Sequence, residues 1–114
     1  MALQEPTFLI LTSLAQGRKH GYALIKDAAE LSSGRVTLKV GTLYAALDRL
    51  SAEGLIAAAG EEIVEGRLRR FYELTEEGAG SLADEVERMR SLSSKAATRL
   101  SQRPALSSTG LAFA

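Results

Sequence analysis

The stretch GTLYAALDRLSAEGLI, from Gly41 to Ile56, has the pattern of a short amphipathic helix followed directly by a strand. Three leucines recur at the i, i+4 and i+7 spacing of one buried helical face, namely Leu43, Leu47 and Leu50. Thr42 is a good N-cap residue, and Gly54 stands where a glycine commonly follows the last helical turn. The stretch therefore predicts a helix that is half exposed.

The exposed face of this helix suits a groove of duplex DNA. Its N-terminal turn carries small side chains, a hydroxyl and a tyrosine, and its backbone N–H groups can meet a phosphate. We therefore predict DNA contacts from Gly41, Thr42, Tyr44 and Ala45. A packing role is the alternative for Tyr44. Lys39 and Arg49 are further candidates as phosphate contacts, although charged residues there are equally typical of an ordinary solvated face.

Bulk composition describes an ordinary folded domain of 114 residues, with 46% hydrophobic and 25% charged residues. Cysteine is absent and His20 is the single histidine, which excludes disulfides, thiolate chemistry and a Cys/His zinc site. No apolar run approaches the ~20 residues of a membrane span, and no basic residues precede FLILTSLA as in a signal peptide. We expect a cytoplasmic protein without metal or cofactor.

The balance of 14 basic and 14 acidic residues argues against a nucleic-acid partner, because DNA-binding domains normally carry a basic excess. A neutral chain can still present one basic edge to phosphates, so the position of its charges, rather than their sum, decides whether it can bind DNA.

Two further helices precede the opening stretch in the chain. Residues 7–15 are nearly all apolar or small and predict a buried first helix. A turn at 17–20 leads to a second helix that continues through Ser32, and 32–39 reads as a connection with some extended character.

After Gly54, the runs LIAAAG and RLRRFYEL flank the polar stretch EEIVEG and predict a two-stranded hairpin. Strand alternation suggests one inward-facing set, made of Leu68, Phe71 or Tyr72, and Leu74.

A long final helix is predicted over 76–103, with Thr75 as its N-cap and two glutamates in its first turn. Apolar and small residues step by three and four along it: Ala79, Leu82, Val86, Met89, Ser93, Ala96 and Leu100. These residues form a seam along one face of the helix. Packing of this seam on the chain's own first helix is one explanation, but a helix this long would leave part of the seam exposed. We predict dimerisation through Leu82, Val86, Met89, Ala96 and Leu100.

The predicted fold is mainly α with a small β-hairpin, a winged helix-turn-helix plus a long C-terminal dimerisation helix. The boundaries are 1–75 for the winged helix domain, 76–103 for the dimerisation helix, and 104–114 for a flexible tail after Pro104 stops the helix.

Four blocks in this order, HGYALI, GTLYAALDRL, EGLI and RRFYELTEEG, resemble the PadR family of bacterial transcriptional regulators. The resemblance covers roughly residues 8–100 and is closest to short members with a single C-terminal helix. It implies a homodimeric repressor that responds to small molecules such as phenolic compounds or drugs. It also implies that Thr42 and Tyr44 face the DNA while Leu43 points inward.

Two departures from the family pattern concern the DNA surface. Ala45 stands where a proline commonly follows GTLY, and the hairpin, or wing, carries Glu61, Glu62 and Glu65 where basic residues or glycines are common. An acidic wing tip would be repelled by phosphate. We therefore assign the wing's DNA contacts to Arg67, Arg69 and Arg70.

The sequence thus predicts a sequence-specific DNA-binding homodimer on a pseudo-palindromic operator. A small aromatic or drug-like effector is expected in the crevice between the dimer helices and the DNA-binding domains, against Phe8, Leu11 and Met89, which core packing explains equally well. A winged helix used for protein contacts is the alternative. An enzyme is set aside because the sequence shows no nucleophile beside a base, no phosphate loop and no metal cluster.

Overall fold

The computed structural model describes residues 2–105 and has four helices and three strands in this range. In chain order the elements are α1 (Glu5–Leu14), β1 (Lys19–His20), α2 (Gly21–Leu31), α3 (Val40–Ala52), β2 (Ile56–Val64), β3 (Arg67–Leu74) and α4 (Glu76–Gln102). The strands form an antiparallel sheet in the order β1-β3-β2. The prediction of a mainly α fold with a winged hairpin is confirmed.

The core lies between the first three helices and the inner end of the sheet. Its fully buried side chains are Ile10, Leu11, Leu14, Leu24, Leu43, Leu47, Leu50 and Ile56. The three leucines of the opening stretch are completely shielded from solvent, as their spacing predicts. These leucines pack the inner face of α3 against the core, and its outer face stays exposed to solvent.

The start of α3 differs from the prediction. Lys39 is the N-cap, without a side-chain capping bond, and the N–H of Leu43 donates to its carbonyl over 2.8 Å. Thr42 therefore lies inside the first turn, and its prediction as the N-cap is wrong. The buried Leu38 anchors the chain just before the helix, and this tertiary contact sets the start earlier than the threonine would.

The end of α3 confirms the role predicted for Gly54. This residue has a φ of +79°, and the N–H groups of Gly54 and Leu55 donate to Ser51 and Leu50. These two bonds form a Schellman motif, which suits a glycine after the last turn.

The hairpin is longer than predicted, because most of EEIVEG belongs to β2. The strands are joined by a tight turn at Glu65 and Gly66, whose φ values are 52° and 78°. Two consecutive residues with positive φ are typical of the two-residue hairpin turn whose twist matches the right-handed twist of the flanking strands. Tyr72 is buried as predicted, whereas Leu68 is 65% exposed because it lies beside the turn, beyond the core. We call β2, β3 and this turn the wing.

Strand β1 was not predicted. Lys19 and His20, expected in a turn, pair with Tyr72 and Phe71 of β3. A two-residue strand has no readable periodicity, and its partner lies some fifty positions away in the chain. This pairing ties the α1–α2 connection to the wing.

Helix α4 begins and ends as predicted to within one residue. The hydroxyl of Thr75 accepts from the N–H of Gly78 over 3.0 Å and caps the helix. Pro104 follows two residues after the last helical residue, Gln102. Most of the predicted tail, residues 106–114, lies outside the described residues.

A polar network joins α1, β1 and α2 beside the core. The ammonium of Lys19 donates to the carbonyl of Ser13 (2.6 Å), to Gln16 and to Asp27 (3.0 Å), and the Ser13 hydroxyl donates to Asp27 over 2.6 Å. The hydroxyl of Ser13 and the cation of Lys19 hold the pKa of Asp27 below its ordinary value of 3.8.

Asp27→Asn is expected to lower the free energy of unfolding at neutral pH by roughly 1–2 kcal/mol, because it removes the charge that these donors face. The pKa of Asp27 is lower in the folded state, so its contribution is present above pH ~4 and is lost as the pH falls through the folded-state pKa. Urea unfolding at about pH 7 and pH 3.5 should therefore show a smaller pH effect in the variant. Asp48→Asn is the control, since Asp48 is exposed and forms no ion pair with another described residue.

Candidate nucleic-acid interface

The outer face of α3 is exposed over its first two turns. Gly41, Thr42, Tyr44 and Ala45 all have solvent-accessible side chains or backbone, while Leu43 between them is completely buried. Lys39 is also exposed and forms no ion pair within residues 2–105. The predicted groove contacts are therefore adjacent on one accessible surface.

Tyr44 is partly packed and partly exposed. Its side chain is 40% exposed, yet its ring packs on the first turn of α2. A Cβ on Gly21 would lie 2.5 Å from the hydroxyl oxygen of Tyr44 and 3.2 Å from a methyl group of Leu43. The missing side chain at Gly21 makes room for the tyrosine. One edge of the ring remains free on the surface of α3.

Most of the acidic residues of the wing do not lie at its tip, where the sequence predicts them. Glu61 and Glu62 lie within β2 rather than at the tip, opposite Arg70 and Arg69 in register. Glu61 pairs with Arg70 over 3.7 Å, and Glu62 pairs with Arg18. Only Glu65 stands in the turn itself. The wing is therefore less repulsive to phosphate than its composition indicates.

The three wing arginines do not share one face. Arg67 and Arg69 project from one side of β3, and Arg70 projects from the other, beside Tyr44 and Leu68. Hydrogen bonding to Tyr72 and the charge of Glu61 raise the pKa of Arg70. Arg67 and Arg69 form no ion pair with a residue that the structure describes.

The structure gives Arg49 a packing role at the opposite end of α3. Its guanidinium donates to the hydroxyl of Thr7 in α1 over 2.9 Å and pairs with Glu53 over 3.5 Å. These contacts hold the side chain against α1, away from the first turn. They do not support the predicted DNA contact.

The sequence did not reveal two residues that shape this surface. Arg18 donates to the carbonyl of Ala59 over 3.1 Å, pairs with Glu62 and lies 4.2 Å above the ring of Phe71, so it fastens the wing to the body. Tyr22, in the first turn of α2, is 61% exposed. Tyr22 could have been noticed in the sequence because it belongs to the block HGYALI. No local sequence pattern distinguishes Arg18.

A cavity of about 420 Å³ lies between α1, α2 and α4. Phe8 and Met89 line it, whereas Leu11 does not, because it is fully buried in the core. Leu11 therefore has the core-packing role that the sequence also allowed. A carboxylate borders the cavity: Glu85 is 4% exposed and accepts two bonds from Arg88, at 3.0 and 2.5 Å, which lower its pKa.

The second half of α4 projects beyond the rest of the fold. Every described side chain from 87 to 105 is exposed, including Met89, Ala96 and Leu100 of the predicted seam. Leu82 and Val86, nearer the start of the helix, are half-buried and border a groove with Ala15 and Leu74. Leu92, which the seam omitted, is a further exposed leucine, at 52%.

None of the helices within residues 2–105 is both long and apolar enough to cross a membrane. Across 2–105, no three histidine, cysteine, aspartate or glutamate side chains come together as a metal site would require.

Comparison with known proteins agrees with this architecture. The model of the transcriptional regulator PadR-like family matches residues 10–84. The transcriptional regulator Rv3488 of Mycobacterium tuberculosis is 37% identical over 76 residues, which is 67% of each chain. The transcriptional regulator YqjI of Escherichia coli is 35% identical over 85 residues, but the matched segment spans only 39% of that protein.

Among solved structures, a PadR family transcription regulator from Clostridium difficile has a TM-score of 0.70 at 28% identity, covering 85% of this chain and 99% of that one. Bacillus subtilis PadR, solved in complex with operator DNA, has a TM-score of 0.61 at 26% identity, covering 70% and 45% of the two chains. The family match covers most of the winged helix and the first turns of α4. The chain therefore belongs to the PadR-like family of transcriptional regulators.

Proposed function

We propose that this regulator is a homodimeric repressor in the cytoplasm that binds a pseudo-palindromic operator. The two α3 helices enter major grooves about one helical turn, ~10 bp, apart. The observation that carries the proposal is the exposed first turn of α3, with an uncompensated Lys39 before it and a rigid leucine face behind it. The structural likeness to a relative solved on operator DNA supports it.

The proposed DNA contacts divide by chemistry. Side chains and backbone at Gly41, Thr42, Tyr44 and Ala45 face the groove, since they are small or carry a hydroxyl. Lys39, Arg67 and Arg69 bind phosphates, because no carboxylate in the described chain neutralises them. Arg70 contributes less, since Glu61 already pairs with it.

We assign dimerisation to α4, with residues 1–75 as the DNA-binding unit and 76–103 as the dimer helix. The outer half of α4 offers an apolar strip that this protomer leaves uncovered, made of Met89, Leu92, Ala96 and Leu100. The partner's helix covers this strip and the groove beside Leu82 and Val86, because an exposed apolar strip of this length favours association. A two-fold axis then presents two α3 helices to the operator.

A small aromatic or drug-like effector is proposed to release the operator from the cavity between α1, α2 and α4. Its apolar wall includes Phe8, Leu31 and Met89, and the Glu85–Arg88 pair offers a polar contact. Occupation of this cavity would change how α4 is seated on α1 and α2, and thereby the spacing of the two α3 helices.

The affinity for DNA is expected to fall steeply with salt, because phosphate neutralisation releases counterions. With about six phosphates neutralised per dimer, log K against log salt concentration should slope at roughly −5 or steeper. Gel shifts or fluorescence anisotropy with DNA upstream of the protein's own coding region measure this slope. A salt-independent response, or no binding to any duplex selected from a random pool, would overturn the DNA-binding proposal.

A second candidate function is a winged helix that binds another protein. The observation in its favour is an exposed aliphatic pair at the wing tip, Ile63 and Leu68, which are 69% and 65% exposed and face each other across the strands. Glu65 beside them adds a negative charge. The same DNA titration separates the two candidates, because a winged helix that binds only a protein partner would shift no duplex.

A further inference from the structure

We propose that Tyr22 and Arg69 together form a DNA-phosphate site where α2 meets the wing, separate from the contacts of α3. The proposal rests on the DNA-binding function above and assigns Tyr22, which composition and motif spacing had not singled out, to that function. Its ligand is a phosphodiester of the duplex backbone flanking the groove that α3 enters.

The first observation is a contact between the exposed ring of Tyr22 and the half-buried side chain of Arg69. The guanidinium carbon of Arg69 lies 5.7 Å from the centroid of the Tyr22 ring, within the range of a cation–π contact. Tyr22 is 61% exposed in the first turn of α2, although a tyrosine without a partner usually packs its ring more completely. The ring thus supports the guanidinium, while most of the Tyr22 side chain stays accessible to solvent.

The second observation is that Arg69 has no counter-ion among residues 2–105. Glu62 stands opposite it on β2, but the carboxylate of Glu62 is engaged by Arg18. Arg18 is itself held by the carbonyl of Ala59 and the ring of Phe71, so Glu62 stays where it is. The Nε atom of Arg69 is buried and has no hydrogen-bond acceptor among the described residues.

An uncompensated guanidinium on a supporting ring is suited to phosphate. The planar fork of arginine binds phosphate oxygens more strongly than neutral acceptors, because the hydrogen bonds are charge-assisted. The neighbouring Arg70 shows the contrast, since its charge is already balanced by Glu61. A tyrosine hydroxyl beside the fork adds a neutral donor of the kind that commonly contacts DNA backbones.

The third observation places this pair next to the groove-facing surface. Gly21, directly before Tyr22, contacts the hydroxyl of Tyr44 in α3. His20 caps α2 by accepting from the N–H of Ala23 over 3.3 Å, and its ring packs edge-on against Phe71 at 5.3 Å. α2 thus contacts α3 through Gly21 and β3 through Tyr22, so the pair borders the surface of α3.

The test compares salt slopes of variants on one duplex, selected from a random-sequence pool with the wild-type protein. Arg69→Gln should weaken binding roughly 10-fold or more and reduce the magnitude of the slope by about 2, because a dimer loses two phosphate contacts. Arg69→Lys should keep the slope but lose part of the affinity, since the charge remains and the fork is gone. Tyr22→Ala should weaken binding and reduce the slope partly, whereas Tyr22→Phe should reduce affinity less and leave the slope unchanged.

The matched control is the double variant Glu5→Gln/Arg35→Gln, which removes a compensated pair between α1 and the α2–α3 connection, at residues outside the proposed DNA contacts. Its slope should equal that of the wild-type protein. Thermal unfolding of each variant checks that the fold persists, and Arg69→Lys keeps the comparison valid if Arg69→Gln lowers stability. Native slopes for both Arg69→Gln and Tyr22→Ala would overturn this inference alone, whereas a wild-type protein that binds no duplex would overturn the proposed function.

Discussion

Gly78→Ala is expected to lower the free energy of unfolding by roughly 2–4 kcal/mol, because the added methyl group has no space. A Cβ on this residue would overlap the carbonyl oxygen of Leu55 and approach a methyl group of Leu74 to 2.8 Å. The carbonyl belongs to the backbone, so a change of rotamer cannot relieve the overlap.

The same carbonyl is part of a junction that positions α4. It accepts from the N–H of Thr75 over 3.2 Å, while the Thr75 hydroxyl donates to the carbonyl of Gly54 over 2.6 Å and accepts from Gly78. Moving the start of α4 to make room for a methyl group would lengthen or break these bonds. The substitution therefore acts on helix capping and on the Schellman turn after α3 at the same time.

Gly80→Ala is the matched control within the same helix. A Cβ there meets nothing within 4 Å, so alanine should raise stability by about 0.5–1 kcal/mol through its higher helix propensity. Urea denaturation of the two variants at one protein concentration measures the difference, since dimerisation makes stability concentration-dependent. Equal stabilities for the two variants would show that α4 does not begin this close to Leu55.

The double variant Leu92→Glu/Leu100→Glu is expected to be monomeric and to lose roughly 100-fold or more in operator affinity. Both leucines are more than half exposed in the single chain, at 52% and 64%, so the winged helix should fold without them. Buried carboxylates in a dimer interface are costly, which drives the helices apart. A monomer then binds one half-site and loses the effective concentration that links the second.

The control places the same charges on another face of α4. Ser91 and Thr98 are exposed and lie roughly 160–180° around the helix from Leu82 at 3.6 residues per turn. Ser91→Glu/Thr98→Glu should therefore remain a dimer and keep most of the affinity, although its net charge is the same. Sedimentation equilibrium gives the mass and anisotropy gives the affinity. A dimeric leucine variant would show that α4 pairs by another surface.

The elements that follow local patterns could be predicted from the chain alone. Leu43, Leu47 and Leu50 marked the inner face of α3, Gly54 its end and Thr75 the start of α4, because each depends on residues within one or two turns. The N-cap of α3 is Lys39 rather than the predicted Thr42, since the buried Leu38 outside the helix decides where the helix begins. Tertiary contacts of this kind commonly shift the end of a helix by one or two residues from the position that the local sequence favours.

The candidate site was predicted in its location but not in its electrostatics. The exposed turn at Gly41 to Ala45 follows directly from the leucine spacing. The leucine spacing does not predict which arginines remain available for phosphate. Glu62 pairs with Arg18, from another part of the chain, rather than with Arg69 opposite it. The sequence left Arg49 open between a phosphate contact and a solvated face, and its hydrogen bond to Thr7 in α1 follows from neither.

The sequence by itself determined the order of the elements, the buried face of α3, the caps of α4 and, through four short blocks, the family. Those properties depend on spacing along the chain, where apolar periodicity and capping chemistry act over a few residues. Only the tertiary structure decided the pairing of β1 with the wing, the contact of Gly21 with Tyr44, and the ion pairs that, within residues 2–105, leave Lys39, Arg67 and Arg69 without a counter-ion. These depend on which distant residues meet, and a chain of zero net charge acquires a basic edge only when folding neutralises its charges unevenly.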